Sequence, residues 1–85
     1  MNAQQQTAYD VWQTRKVGNP DALLLHRIGD FYECYYSDAV VVAHALRLQT
    51  TKINGRAVVV WPVQIFGYIR KLIQSGYPII IEDVE

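Results

Sequence analysis

The sequence predicts an α+β fold: one mixed sheet of about five strands flanked by three helices, in the order α-β-β-α-β-β-α-β. Three observations carry that prediction. Ile65, Tyr68, Ile69, Leu72 and Ile73 follow the spacing of a single apolar helix face. Gly29-Asp30 and Asn54-Gly55 are turn signals, each set between short strand-prone runs. The unbroken Ile79-Ile80-Ile81 run has the composition of a strand buried on both sides. Residues 1–85 are read as one domain, with a core of modest size.

The first helix is expected from about Gln5 to Lys16, with Ala8, Val11, Trp12 and the stem of Arg15 on one face. Thr7 and Asp10 have capping-box spacing, and Gly18 with Asn19-Pro20-Asp21 ends the helix. Ala22 to Ile28 and Phe31 to Tyr36 read as two strands close enough to form a hairpin. Ser37 can cap a second helix, Asp38 to Leu46, in which Asp38 suits the positive N-terminal end. Val40-Val41-Val42 has poor helix propensity, so burial must hold it helical, and a strand is the alternative there. Arg47 to Lys52 and Ala57 to Trp61 are strands on either side of Asn54-Gly55, a type I′ hairpin signal, and Pro62 closes the second. Gly76 ends the third helix, and Tyr77 to Ile81 is expected as a central strand.

Composition excludes several functions. Eight Lys/Arg balance eight Asp/Glu, so the net charge is zero and duplex binding by this domain alone should be weak. Bases cluster as Arg15-Lys16, as Arg70-Lys71, and as Lys52 and Arg56 around the Asn54-Gly55 turn, whereas Glu82, Asp83 and Glu85 gather acids at the end. A single cysteine, Cys34, rules out an internal disulfide and any multi-cysteine metal site, and fits a reducing, cytoplasmic setting. The first residues form neither a basic segment nor an apolar run, so no secretory signal is read. No apolar stretch approaches the roughly 20 residues of a membrane span.

No Gly-rich phosphate loop is present, so no nucleotide cofactor is expected. Cys34 with His26 or His44 as base is the one nucleophilic arrangement available. A thiol among Tyr32, Tyr35 and Tyr36 is better read as buried and inert. The two histidines lack metal-ligand spacing, and the acids Asp30 and Asp38 are accounted for by a turn and a helix start. No catalytic residue, metal or cofactor is therefore expected.

The remaining feature is Gly29-Asp30-Phe31-Tyr32-Glu33. On a strand, Phe31 and Glu33 share a face roughly 7 Å apart. If that face is buried, Phe31 is a core residue and Glu33 needs a hydrogen-bonding partner. If it is open, an exposed aromatic stands beside an acceptor, a pair suited to probing the stacking and edges of nucleic-acid bases.

The stretch Leu23-Leu24-Leu25-His26-Arg27-Ile28-Gly29-Asp30-Phe31-Tyr32-Glu33 resembles the signature of the N-terminal mismatch-reading domain of the MutS DNA-repair family. The likeness continues through Tyr36, Asp38-Ala39, Leu48 to Lys52, Pro62, the helix with Tyr68 and Leu72, Gly76-Tyr77 and Ile79 to Glu82. The resemblance implies that Phe31 is wedged into the duplex at a mispaired or unpaired base and that Glu33 accepts a hydrogen bond from that base. Lys52 and Arg56 complete the expected DNA-binding set. The implied partner is duplex DNA with a mismatch or bulge, with other repair or mobile-element proteins as further partners. Val58 to Gln64 departs from the family's usual Met-Ala-Gly-Val-Pro-Tyr-His pattern. The family's connector, lever, clamp and ATPase domains have no counterpart in these residues. A protein-interaction module that keeps the fold without reading mismatches is the competing expectation, motivated by neutral charge and six tyrosines.

Overall fold

A computed structural model describes residues 2–84. Its elements are α1 (Ala3–Gly18), β1 (Leu23–Ile28), β2 (Phe31–Tyr35), α2 (Tyr36–Leu46), β3 (Thr51–Ile53), β4 (Arg56–Pro62), α3 (Gly67–Gln74) and β5 (Ile79–Val84). The strands form one sheet in the order β3-β4-β2-β1-β5, antiparallel except where β5 runs parallel to β1. This is the expected α+β architecture with three helices and a five-stranded mixed sheet.

The alternation of β2 divides the molecule into layers. Tyr32 and Cys34 face one side, where they join Leu23 and Leu25 of β1 and Val59 and Trp61 of β4. The buried stripe Ala39, Val42, Ala43 and Leu46 of α2 and Leu72 of α3 close over them. That stripe explains why Val40–Val42 is helical despite its propensity. Burying Val42 and Leu46 contributes roughly 1.5–3 kcal/mol per side chain, more than the propensity deficit. Tyr35 and Val58 face the other side beneath α1, packed with Ala8.

Several boundaries differ from expectation for local reasons. Helix α1 starts earlier than Gln5, because Asn2 caps it and forms a reciprocal capping box with Gln5, a role expected of Thr7 and Asp10. Its buried residues are Ala8 and Tyr9, while Trp12 is half-buried and donates its indole N–H to Asp38. Helix α2 begins at Tyr36 without a side-chain cap, so Ser37 does not cap it. Strand β3 is shorter than Arg47 to Lys52, because Arg47 ends α2 in a left-handed conformation (φ 56°) and Leu48 N–H closes back on the Ala43 carbonyl. Strand β5 lies at the edge of the sheet and not at its centre, paired to β1 alone, with Ile81 exposed. A continuous apolar run marks two-sided contact only when both faces are covered. Here α1 reaches one face of β5 while Ile81 on the other meets solvent.

One buried node ties the helical layers to the sheet. Asp38 accepts hydrogen bonds from Trp12 Nε1 at 2.8 Å, from the Leu24 N–H at 3.2 Å and from Lys16 Nζ at 2.6 Å. Lys16 also donates to the Ala22 carbonyl at 2.6 Å. Helix α1, strand β1 and helix α2 therefore converge on a single carboxylate.

Candidate nucleic-acid interface

Strands β1 and β2 are joined by the two residues Gly29 and Asp30, with Ile28 opposite Phe31. Gly29 has φ +60° while Asp30 is not left-handed, the disposition of a type II′ hairpin loop, and a side chain at position 29 would be strained. The Asp30 carbonyl accepts from the Val63 N–H at 2.9 Å, and Arg27 Nε donates to the Gly29 carbonyl at 3.3 Å. The turn is thus held from both sides. Phe31, the first residue after it, is 48% exposed at the end of the sheet.

Glu33 lies on the same face as Phe31 but in a different environment. It is only 5% exposed, because the start of α1 crosses over it. Its Oε1 accepts from Gln5 Nε2 at 2.9 Å and, at 3.5 Å, from the Tyr35 hydroxyl. The charge costs of burial are visible on its neighbours. Burial and then the Glu33 carboxylate push the Tyr35 phenol up. Burial, then Asp38 and Glu33, push the Cys34 thiol well up, so Cys34 is a buried, protonated thiol. Phe31 and Glu33 line a common groove of about 430 Å³ with Gln4, Gln5, Ile28 and Val60. The two residues are therefore brought together as expected, one open and one screened.

Lys52 and Arg56 are placed elsewhere. They lie on the β3–β4 hairpin, whose Asn54 and Gly55 both have positive φ as a type I′ loop requires. Phe31 is opposite Pro62 on β4, so Arg56 stands six residues down that strand, roughly 20 Å away. Lys52 is exposed, and the Arg56 guanidinium lies 3.8 Å above the centre of the Tyr9 ring. Trp12 stacks with both Tyr9 and Tyr36, Tyr9 and Tyr36 are tilted against each other, and the Tyr36 hydroxyl donates to that of Tyr9 at 2.7 Å. Burial and that hydrogen bond raise the Tyr36 phenol.

Sequence reasoning missed Gln5, whose screening of Glu33 spans 28 residues of chain and has no local signal. Arg27 was legible within the motif but was not singled out; it adds a base at the Phe31 end of the sheet. His26, opposite Glu33 in the β1–β2 register, is fully buried with both ring nitrogens unpartnered among the described residues. Burial lowers it to about 4, against a smaller opposing pull from Asp38. Among the described residues no group of three or more His, Cys, Asp or Glu could hold a metal ion, and no helix is long and apolar enough to cross a membrane.

Fold and site together define a small layered α+β domain that holds an open aromatic ring beside a screened carboxylate at one end of its sheet. The family model described as MutS domain I matches residues 7–85, and the chain belongs to that family. Similar proteins include the DNA mismatch repair protein MutS of Rhizobium meliloti, 40% identical over 77 residues, covering 82% of this chain and 8% of that protein. The protein of the same name from Chlorobium chlorochromatii is 42% identical over 70 residues, covering 75% of this chain and 8% of its own length. That of Exiguobacterium sp. is 38% identical over 74 residues, covering 78% and 9% respectively. The chain thus spans less than a tenth of the length of these relatives.

Proposed function

We propose that this domain contacts duplex DNA at mismatched or unpaired bases, with Phe31 as an aromatic wedge and Glu33 as the acceptor for a base N–H, in DNA mismatch repair or a role derived from it. The observation that carries this reading is the half-exposed Phe31 ring beside the groove that Glu33 lines, in a member of the MutS domain I family. A ring pushed between base pairs from the minor groove unstacks a step and kinks the helix, at a cost of a few kcal/mol. A mismatch is already poorly stacked, so the same insertion costs less there, and deformability becomes the discriminating term. The carboxylate adds selectivity by repulsion. It disfavours phosphates and tolerates only a pose in which a base donor meets it.

Lys52 and Arg56 fit the complementary role of phosphate contacts. Their separation from Phe31, roughly 20 Å, corresponds to about six base pairs along a duplex. With zero net charge, binding by the domain is weak and salt-sensitive. A cytoplasmic setting belongs to the same reading, as does the absence of chemistry by the domain itself.

The test is a low-salt fluorescence titration comparing a G·T or one-base-bulge duplex with its matched counterpart. The expected outcome is tighter binding of the distorted duplex, with the preference reduced roughly fivefold or more by Phe31→Ala, the scale of one aromatic–base stack. Equal affinity for both duplexes, unchanged by Phe31→Ala, overturns the proposal.

A further inference from the structure

The Glu33 carboxylate is approached from one side only, and this inference rests on the reading of the groove given above. Both hydrogen bonds to it end on Oε1, from Gln5 Nε2 at 2.9 Å and from the Tyr35 hydroxyl at 3.5 Å. The second is at the outer limit for such a bond, which leaves Gln5 as the principal donor. Among the described residues nothing donates to Oε2, although Glu33 lines the groove beside Phe31.

Gln5 is itself held in place. Its backbone N–H donates to Asn2 Oδ1 at 2.8 Å, and its side-chain Oε1 accepts from the Asn2 N–H at 3.1 Å. The carboxamide has its acceptor end committed to the helix cap and its donor end committed to Glu33. An inverted amide would place an oxygen against a carboxylate and an NH2 against an N–H, two repulsions in place of two bonds. A neutral donor also leaves the carboxylate its negative charge, which a lysine or arginine at this position would offset.

We infer that Gln5 is a positioning residue for base recognition: by engaging Oε1 it orients Glu33 so that Oε2 is presented to the imino or amino N–H of a base displaced toward Phe31. The capping box of α1 and the recognition groove are one hydrogen-bonded unit, and the start of the helix sets the direction of the acceptor.

The discriminating variant is Gln5→Glu. A glutamate three residues after the N-cap keeps an acceptor for the Asn2 N–H, so the cap survives while the donor to Glu33 is lost. The readout is the ratio of affinities for G·T and matched duplex, measured on the whole chain at low salt. At pH 8 the ratio is expected to fall roughly fivefold, the size of one hydrogen bond's contribution. It is expected to recover as the pH is lowered from 8, because two facing carboxylates take up a shared proton more readily than either alone and a donor is thereby restored.

His26 across the register, Tyr35 on the same strand and Asp30 in the same groove are other titratable groups near Glu33, with Glu82 opposite His26 on β5, Asp38 acting on His26, and Tyr9 and Arg56 farther along the face. Burial keeps His26 neutral and Tyr35 protonated through that range, so neither produces the recovery. In a Glu33→Ala background, Gln5→Glu should change the ratio no further, because Gln5 acts through Glu33. If Gln5→Glu fails to fold, Gln5→Met, which brings no charge against Glu33, reads the same loss.

A wild-type preference for G·T that survives either Gln5 variant at pH 8 overturns this inference alone. So does a loss that is equally large in the Glu33→Ala background. A wild-type chain that binds both duplexes equally overturns the mismatch reading and this inference with it.

Discussion

Asp38 and Glu33 are both buried carboxylates beneath α1, and they are treated in opposite ways. Asp38 has donors on both oxygens: an indole N–H and a backbone N–H on Oδ2, and the ammonium of Lys16 on Oδ1. Glu33 has a carboxamide and a distant phenol, both on Oε1. A carboxylate offers about four acceptor positions, so the first is close to saturated and the second keeps capacity in reserve. Their surroundings differ in the same sense. Asp38 sits where three elements meet, and Glu33 lines a groove beside an exposed ring. The contrast separates a carboxylate that assembles the fold from one that keeps unfilled acceptor capacity beside a groove.

The largest expected effect breaks the assembling side. Asp38→Ala strands the Lys16 ammonium and the Leu24 N–H, and should cost about 3–5 kcal/mol in urea unfolding, the usual cost of breaking a buried ion pair. In an 85-residue domain that is a large share of the total, so extensive unfolding at 37 °C is the expected result.

Next comes His26, which lies across from Glu33 with no hydrogen-bond partner for either ring nitrogen among the described residues. An unfolded histidine takes up its proton near 6.5, whereas the folded one does so only at about 4. Between those values the unfolded state binds more protons, so stability falls as pH drops from 6.5 to 4, by about 3 kcal/mol when complete, and falls no further from this source below that. His26→Leu should remove that component, seen as a flatter pH dependence of unfolding free energy relative to wild type.

Smaller in stability is the effect of Phe31→Ala. Truncating a half-exposed ring should shift the unfolding free energy by no more than about 1 kcal/mol while reducing the preference for distorted duplex roughly fivefold or more. A melting temperature lowered as far as for Asp38→Ala would erase the distinction between the two regions. The smallest effect is at Lys52. Lys52→Ala should weaken matched and mismatched duplexes equally and reduce the slope of log affinity against log salt by about 1, readable from titrations at several salt concentrations.

Much of this was legible in the chain because it is local. The Asn54-Gly55 and Gly29-Asp30 turns and the two-residue spacing of Phe31 and Glu33 depend only on near neighbours, and each is realised, whereas the α3 stripe holds only at Tyr68, Ile69 and Leu72: Ile65 precedes the helix and Ile73 is exposed. The alternatives left open at Val40–Val42 and at Phe31 were different in kind. Whether valines are helical depends on what covers them, and whether a ring is exposed depends on where a helix stops. Neither is written in a window of ten residues.

The sequence by itself determined the order of elements, the two hairpin loops, the family and the shared face of Phe31 and Glu33. Those follow from periodicity, glycine geometry and a contiguous motif, all properties of adjacent residues. Tertiary structure alone decided that Glu33 would be screened by Gln5 while Phe31 stayed open, that β5 would occupy an edge, and that Asp38 would gather Trp12, Lys16 and Leu24. Each of these depends on which surfaces meet across the sheet. Burial and hydrogen-bond saturation arise from contacts between distant segments, and only the packed molecule brings those segments together.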